Sequence, residues 1–136
     1  MKATLHQISA TASEATMGTN GEYKIIVDRP IEKGGTGAGP MGGDLFLASI
    51  GGCFMSNVLA AIRAREAAVR DVRVEVEGTV EGSPAKFTAI SLTVTAECED
   101  RELLEKIVEI ADRGCIMMNT LRGKLPVEIR VPVAAR

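Results

Sequence analysis

The run Leu45-Phe-Leu-Ala-Ser-Ile-Gly-Gly-Cys-Phe-Met-Ser-Asn-Val-Leu-Ala-Ala-Ile62 contains no charged residue and decides the fold of this chain. It is barely long enough to cross a bilayer as a helix. Serine, glycine and asparagine interrupt it, and no second such run exists in the sequence, so a helix packed against protein is favoured over a membrane span. Asp44 is the expected N-cap of this helix, which becomes charged at Arg63 and ends near Ala67.

The segments on either side of the long helix have the patterns of strands. Residues 3–12 and 22–28 precede it, joined by an Asn-Gly pair that predicts a type I′ hairpin turn. Residues 72–80, 86–97 and 127–131 follow it, with apolar and polar side chains in alternation. A second helix runs from its N-cap Asp100 to Gly114, and a short helix follows at 115–121. The order β-β-α-β-β-α-β predicts a single α+β domain over residues 1–136, with antiparallel sheets around the long central helix.

Composition excludes several classes of function. The net charge is −2, the pI is about 5.5, Trp is absent and aromatic residues make up 3% of the chain. These values provide neither the positive surface nor the stacking side chains that nucleic-acid binding uses. The N-terminal residues lack the apolar core of a signal peptide, so we expect a cytoplasmic protein.

The long helix is apolar on nearly every face, and so few strands cannot cover all of it. Its small residues would allow a second backbone to approach closely: Ala48, Ser49, Gly51, Gly52 and Ala60. We therefore expect a homodimer in which the long helices of two chains pack against each other.

Three cysteines carry the possible chemistry. Cys53 lies within the uncharged run, and Cys115 lies 62 positions later, after the second helix. The two are either inert core residues or a redox pair, since free cysteine is among the most buried residue types. Cys98, at the end of a strand, is expected to be a packing residue. Three cysteines and the single His6, without C-x-x-C spacing, do not build a closed zinc site.

A redox role requires a thiolate at Cys53. An ordinary thiol has a pKa of about 8.5, and burial raises it further. Cys53 lies more than two turns inside its own helix, too far from the positive N-terminus for a large effect. We therefore expect a fixed cation to stabilise the thiolate. Arg29 is the best candidate, at the start of a Gly/Pro loop over residues 29–43 that matches no phosphate-binding motif.

Residues 39–54, Gly-Pro-Met-Gly-Gly-Asp-Leu-Phe-Leu-Ala-Ser-Ile-Gly-Gly-Cys-Phe, resemble the G-P-x-P-x-E-L-L-L-A-S-L-x-G-C segment of the OsmC/Ohr family. These are the osmotically induced and organic hydroperoxide resistance proteins. Arg113-Gly-Cys-Ile-Met-Met-Asn-Thr-Leu121 is similar to the second family signature, a cysteine that follows a helix near the C-terminus. The resemblance covers nearly the whole chain and implies an OsmC-like fold and an intertwined homodimer.

The resemblance also implies a thiol-dependent peroxidase that reduces organic hydroperoxides without a metal, haem, flavin or other cofactor. Cys53 would become a sulfenic acid, and Cys115 would close a Cys53–Cys115 disulfide that an external dithiol reduces. Arg29 would hold the thiolate and the leaving oxygen, paired with an acid. Either Asp44, which stands where relatives have glutamate, or another acid would be that partner. The alternative is a non-catalytic dimer of the same fold that binds a small apolar ligand and keeps its thiols inert.

Overall fold

The computed structural model of the protein describes residues 1–132. Their backbone clusters into two compact units, Met1–Phe46 and the part from Leu47 onward. The first unit holds a three-stranded sheet and the Gly/Pro loop. The second holds most of the long helix, another three-stranded sheet and two further helices. The predicted α+β class with one long helix is confirmed.

The sheet of the first unit is antiparallel, with strands in the order β1 (Thr4–Gln7), β2 (Ser13–Met17) and β3 (Tyr23–Val27). The sequence predicts one strand over residues 3–12, but β1 ends at Gln7, the chain then bends, and β2 begins at Ser13, just outside that range. Ser9 produces the bend, because its hydroxyl accepts hydrogen bonds from the backbone N–H groups of Thr11 and Ala12. The predicted strand is therefore shorter than expected, and β2 was not predicted.

The Asn-Gly pair between β2 and β3 does not form the predicted type I′ turn. That turn requires a positive φ at both central residues. Within residues 1–132, Glu66 and Asp71 are the only residues other than glycine with a positive φ, so Asn20 has an ordinary conformation. The Gly21 N–H bonds to the Gly18 carbonyl at 3.3 Å, and Gly21 has φ +67°. A longer connection with a left-handed glycine replaces the two-residue turn.

The Gly/Pro loop folds around the carboxylate of Asp28, which directly follows β3 and is only 3% exposed. This carboxylate accepts a hydrogen bond from the Thr36 hydroxyl at 2.6 Å. It also accepts three from the backbone N–H groups of Arg29, Thr36 and Ala38, at 2.7, 3.1 and 3.2 Å. These bonds, led by that of the Thr36 hydroxyl, hold the pKa of Asp28 far below its ordinary value against the opposing effect of burial. One buried charge therefore organises the loop.

Two glycines allow the loop to lie close to its neighbours. A Cβ at position 35 would overlap the Arg29 carbonyl, and one at position 39 would overlap the Ile26 carbonyl. Neither Gly35 nor Gly39 has a positive φ, so space rather than conformation requires glycine here. A single 3-10 turn, Ile31–Lys33, completes the loop. The segment is packed against β3, although its composition is that of a flexible connection.

The uncharged run forms α1, which spans Gly42–Arg65. Asp44 lies in its first turn and not at the predicted N-cap position, because the Leu45 N–H already bonds to the Met41 carbonyl. The Asp44 carboxylate reaches back and accepts a hydrogen bond from the Met41 N–H at 2.9 Å. In the capping box, an acidic side chain at the third helical position accepts this same hydrogen bond from the backbone N–H of the N-cap residue. Asp44 thus stabilises the start of α1 from inside the helix.

Only one stripe of α1 is buried. It consists of Ile50, Phe54, Val58 and Ala61, spaced by three or four positions. By length and composition alone α1 would also suit a membrane crossing, and 22% of its apolar window is buried within the chain. Much of its remaining surface is open in the single chain, including Leu59 at 48% exposure. The helix therefore keeps an apolar face that this chain alone leaves uncovered.

The sheet of the second unit contains, in spatial order, β4 (Arg70–Glu81), β5 (Lys86–Glu97) and β6 (Val127–Arg130). β4 and β5 form the predicted antiparallel hairpin. The prediction of antiparallel sheets is wrong for β6, which runs parallel to β5. The chain between these two strands forms α2 (Arg101–Gly114) and α3 (Ile116–Leu121). Such a helical crossover returns the chain to the starting end of the sheet, which makes the two strands parallel.

The core of the second unit is almost entirely aliphatic. α2 starts as predicted, with the Asp100 carboxylate accepting a hydrogen bond from the Leu103 N–H at 3.1 Å. Its apolar stripe is buried and consists of Leu104, Ile107, Val108 and Ala111. The buried residues of β5 alternate, as one covered face requires: Ile90, Leu92 and Val94. This packing fixes the end of α2, where Cys115 follows.

Replacing Asp28 with asparagine should destabilise the protein at neutral pH, because an amide cannot accept all four hydrogen bonds. The folded-state pKa is lowered, so this stabilisation is complete above the ordinary carboxyl pKa of about 4 and is lost as the pH falls below it. The difference in urea midpoint between wild type and Asp28→Asn should therefore shrink as the pH falls from neutral to about 3. Glu32→Gln, at an exposed position of the same loop, is the control. A difference that does not change with pH would contradict the role of Asp28.

Candidate active site

The two cysteines that the sequence places in separate helical segments are in contact. Cys53 lies in the middle of α1, and Cys115 is the one residue between α2 and α3. Their sulfur atoms are 3.2 Å apart, and the Cys115 thiol donates a hydrogen bond to Cys53 Sγ. A disulfide bond is about 2.05 Å long, so an approach of about 1 Å would bring the two sulfurs to bonding distance. Cys115 is fully buried and Cys53 is partly exposed, so solvent reaches the pair at Cys53.

The surroundings make Cys53 the more acidic of the two thiols. Burial raises the pKa of Cys53, but hydrogen bonds from the Met117 N–H, the Cys115 thiol and the Ile116 N–H outweigh it. The pKa of Cys53 is therefore below its ordinary value. Burial raises the pKa of Cys115, and the adjacent Cys53 charge raises it further. When the pair loses one proton, the arrangement therefore favours its loss from Cys53, with the neutral Cys115 thiol donating a hydrogen bond to the resulting thiolate.

The groups that lower the pKa of Cys53 include backbone amides at the start of α3. The first N–H groups of a helix have no partner inside it and are free to bind an acceptor. Those of Ile116 and Met117 are the backbone donors that lower the pKa of Cys53. The expectation of a fixed cation came from the helix that carries Cys53 alone. A second helix supplies donors that lower the pKa of Cys53, and a cation in addition to them stays a prediction.

Arg29 and Asp44, the other two predicted site residues, both lie in the first unit. The Arg29 side chain is exposed, and its backbone holds the Gly/Pro loop through the bond to Asp28 and one from the Gly37 N–H. The Asp44 carboxylate is bonded to the Met41 N–H. In the part of the chain that the structure describes, Arg29 and Asp44 form no ion pair with each other. Their catalytic roles stay predictions.

The remaining candidates of the sequence analysis have other surroundings. Cys98 follows β5, is half-buried and donates a hydrogen bond from its thiol to the Asp100 carbonyl at 3.1 Å. His6 is exposed on β1. Over residues 1–132, no group of three or more His, Cys, Asp or Glu side chains is placed to hold a metal ion.

Sequence reasoning missed the α3 amides and a further side chain, Asn57. The predicted short helix was a usable signal for the amides, because a helix N-terminus lowers the pKa of a nearby thiol. Asn57 lies one turn after Cys53, and its Nδ2 donates to the Cys53 carbonyl at 2.9 Å. No local pattern marks this residue, since an asparagine in a helix is usually a solvent-facing residue or part of a cap.

A partly exposed acidic thiol that accepts a hydrogen bond from a buried thiol is a dithiol site. Such a site can alternate between two thiols and one disulfide. The structure thus defines a dithiol protein of α+β fold, and the chain belongs to the OsmC-like protein family, whose model matches residues 35–130. The matched range includes both cysteines, and the family resemblance seen in the sequence is confirmed. No curated protein sequence matches the chain significantly.

Solved structures share this fold over nearly the whole chain. An OsmC-like protein from Mycoplasma pneumoniae has a TM-score of 0.82 at 17% identity and covers 96% of this chain and 94% of its own. The organic hydroperoxide resistance protein OsmC from Legionella pneumophila has a TM-score of 0.76 at 22% identity and covers 98% of both chains. The organic hydroperoxide resistance protein OhrB of Bacillus subtilis has a TM-score of 0.70 at 20% identity, covering 97% and 98%. At these identities the similarity establishes the fold.

Removing the hydrogen-bond donor at position 115 should raise the pKa of Cys53. The comparison uses Cys115→Ala and Cys115→Ser in a Cys98→Ser background, so that Cys53 is the single cysteine. A serine hydroxyl still donates to the thiolate and a methyl group does not. The rate of iodoacetamide alkylation against pH should therefore have a higher midpoint in Cys115→Ala than in Cys115→Ser. Equal midpoints would show that the Cys115 thiol does not stabilise the Cys53 thiolate.

Proposed function

We propose that this protein is a thiol-dependent peroxidase that reduces organic hydroperoxides. The observation that carries the proposal is the hydrogen bond from the buried Cys115 thiol to Cys53, a partly exposed residue with a lowered pKa. A more acidic, accessible thiol is suited to attack a peroxide, and a thiol already in contact with it is suited to react with the product. Membership of the OsmC-like family and likeness to proteins named for organic hydroperoxide resistance support the same function.

In the first step, the Cys53 thiolate attacks the terminal oxygen of the hydroperoxide. An S–O bond forms and the O–O bond breaks. The alkoxide leaves and takes up a proton to become the alcohol, and Cys53 becomes a sulfenic acid. The amides of Ile116 and Met117 favour this step because they lower the pKa of Cys53 and so increase the fraction of the reactive thiolate.

In the second step, Cys115 attacks the sulfur of the Cys53 sulfenic acid. The S–S bond forms, the S–O bond breaks, and the hydroxyl group leaves as water with the Cys115 proton. An external dithiol then reduces the Cys53–Cys115 disulfide by thiol–disulfide exchange. Over one cycle, one hydroperoxide and one dithiol give one alcohol, one water and one disulfide of the reductant. These steps use the protein's own cysteines and need no metal or organic cofactor.

The substrate-binding roles of Arg29 and Asp44 come from the family resemblance. Arginine is always charged, and its planar fork can donate two parallel hydrogen bonds to the oxygens of a peroxide. We propose that Arg29 stabilises the negative charge that develops on the leaving oxygen. Asp44, the acid of the first motif, would orient the guanidinium.

We also propose that the active protein is a cytoplasmic homodimer. An apolar groove of about 390 Å³ runs along α1 and β4, and the small residues Ala48, Gly51 and Gly52 lie on its α1 side between Leu47 and Met55. Groups this small would let the α1 helix of a second chain approach closely, and Leu59 and Ala60 are exposed on the same helix. The acidic pI and the small number of aromatic residues support the expectation that nucleic acid is not a partner. The serine, glycine and asparagine residues within α1 support the expectation that a membrane is not a partner either.

One equivalent of an organic hydroperoxide should remove two of the three thiols of the wild-type chain, because one disulfide forms. Thiols are counted with a chromogenic disulfide reagent after unfolding. Cys53→Ser should consume no hydroperoxide, since its hydroxyl is not a comparable nucleophile. Cys98→Ser is the matched control and should form the same disulfide as wild type. A wild-type chain that keeps all its thiols would contradict the proposal and favour the alternative, an apolar-ligand binder with inert thiols.

Replacing Arg29 with alanine should slow hydroperoxide reduction by about 10²-fold, the usual effect of removing one group that stabilises developing negative charge. Arg29→Lys should recover only part of the rate, because an ammonium lacks the planar fork. Lys33→Ala removes an exposed cation from the same loop and should keep the wild-type rate. The measurement is the second-order rate of hydroperoxide loss at saturating reductant. If Arg29→Ala reacts at the wild-type rate, Arg29 has no part in the chemistry.

A further inference from the structure

Asn57 makes the contact where α1 meets the segment that carries Cys115. Its Nδ2 donates to the Cys53 carbonyl at 2.9 Å, so the amide is held over the turn that carries the first cysteine. Its Oδ1 faces Gly114, where an added Cβ would lie 3.1 Å away. Gly114 directly precedes Cys115. The Asn57 amide therefore lies between the turn that holds one cysteine and the backbone next to the other.

Gly114 is a glycine because of space and not because of conformation. Its φ is not in the positive range that favours glycine. It is the last residue of α2, and alanine is the better helix former. A methyl group 3.1 Å from Asn57 Oδ1 would be tighter than nine in ten real contacts, so one side would have to move by a few tenths of an ångström. Because glycine is a poor helix former, its presence at this position indicates that the close contact with Asn57 is required.

The junction between α2 and α3 is stiff, so a displacement at Gly114 would move Cys115 with it. The Cys115 N–H bonds to the Asp112 carbonyl, and the Asn119 N–H bonds to the Cys115 carbonyl. The Asn119 side chain also donates to the Arg113 carbonyl at 3.0 Å. These bonds tie the end of α2 to the first turn of α3, with Cys115 between them.

We propose that Gly114 is a positioning residue: because it has no side chain, the end of α2 lies close to the Asn57 amide, and this close approach sets the spacing of the two sulfurs. The inference rests on the proposed peroxidase function: the close approach keeps the Cys115 thiol near enough to Cys53 that the disulfide closes before the sulfenic acid reacts elsewhere. The sulfurs are 3.2 Å apart, and misplacing reacting atoms by about 1 Å can slow a reaction by about 10²-fold. Neither residue contributes an atom to the bonds that form or break.

Four proteins in a Cys98→Ser background test this role: the parent, Gly114→Ala, Gly114→Ala/Asn57→Ala, and the control Gly42→Ala. Gly42 is a helical glycine of α1 whose added Cβ would meet no atom within 4 Å. One equivalent of an organic hydroperoxide is added together with dimedone, which traps sulfenic acid. Mass spectrometry then gives the ratio of Cys53–Cys115 disulfide to dimedone adduct at Cys53.

Gly114→Ala should shift this ratio towards the adduct by about tenfold or more, because Cys115 is displaced. The double variant should return towards the parent ratio, since the shorter side chain at position 57 leaves room for the methyl group. Gly42→Ala should match the parent. Circular dichroism and thermal midpoints establish that every variant is folded. A parent-like ratio in Gly114→Ala overturns the inference, and so does a double variant with no recovery.

Diamide separates this inference from the proposed function, because it oxidises two thiols to a disulfide, is itself reduced to the hydrazine, and forms no sulfenic acid. The same four proteins are treated with diamide and the rate of Cys53–Cys115 closure is measured. Slow closure in Gly114→Ala with recovery in the double variant supports the positioning role, even if the parent consumes no hydroperoxide and the peroxidase proposal fails. Equal closure rates in all four proteins overturn the positioning role, even if the parent is an active peroxidase.

Discussion

The contact between Cys115 and Cys53 is the interaction on which the chemistry of this protein depends. It joins residues 62 positions apart, so it exists only when α1 and the α2–α3 junction are both in place. The buried stripe of α2 fixes the end of that helix, and Cys115 follows it directly with no exposed surface. Cys53, on the other side of the contact, keeps access to solvent. The fold therefore shifts the pKa values of two chemically identical side chains in opposite directions and leaves one of them more accessible to solvent.

Backbone dipoles lower the pKa of Cys53, which lies in a run of the chain that has no charged residue. The uncharged run forms α1, and bringing a cation into such surroundings would require removing it from water. Backbone N–H groups at a helix start need a partner in any case, and those of Ile116 and Met117 find it in the Cys53 sulfur. The thiolate thus satisfies groups that the short helix α3 would otherwise leave unpaired.

In the first unit, the buried carboxylate of Asp28 orders the Gly/Pro loop. A loop rich in glycine has many accessible conformations in the unfolded chain, and ordering it is costly. Four hydrogen bonds to Asp28 fix the loop, and glycine at positions 35 and 39 allows the backbone to lie against its neighbours. The start of α1 follows this loop and is held by Asp44. The motif that resembles the family segment therefore lies in a region whose conformation is closely specified.

The sequence by itself determined the elements that repeat a local pattern. The uncharged run predicts α1, the alternation of residues 72–80 and 86–97 predicts β4 and β5, and Asp100 predicts the start of α2, because each signal lies within a few residues of its effect. The motif around Cys53 also indicated the family and the pair of cysteines. Even local signals failed where a nearby side chain altered the backbone, as at Ser9, or where a longer connection replaced the expected turn, as at Asn20.

Only the tertiary structure decided how the cysteine site is built. Three of its features join segments far apart in the sequence. They are the parallel pairing of β6 with β5, the amides of α3 at Cys53, and the contact of Asn57 with Gly114. Periodicity and capping rules describe the conformation of one segment, and they contain no information about which distant backbone group lies beside a given side chain. The sequence could therefore identify Cys53 and Cys115 as partners, while the donors that make one of them the more acidic thiol depend on where the second helix is packed.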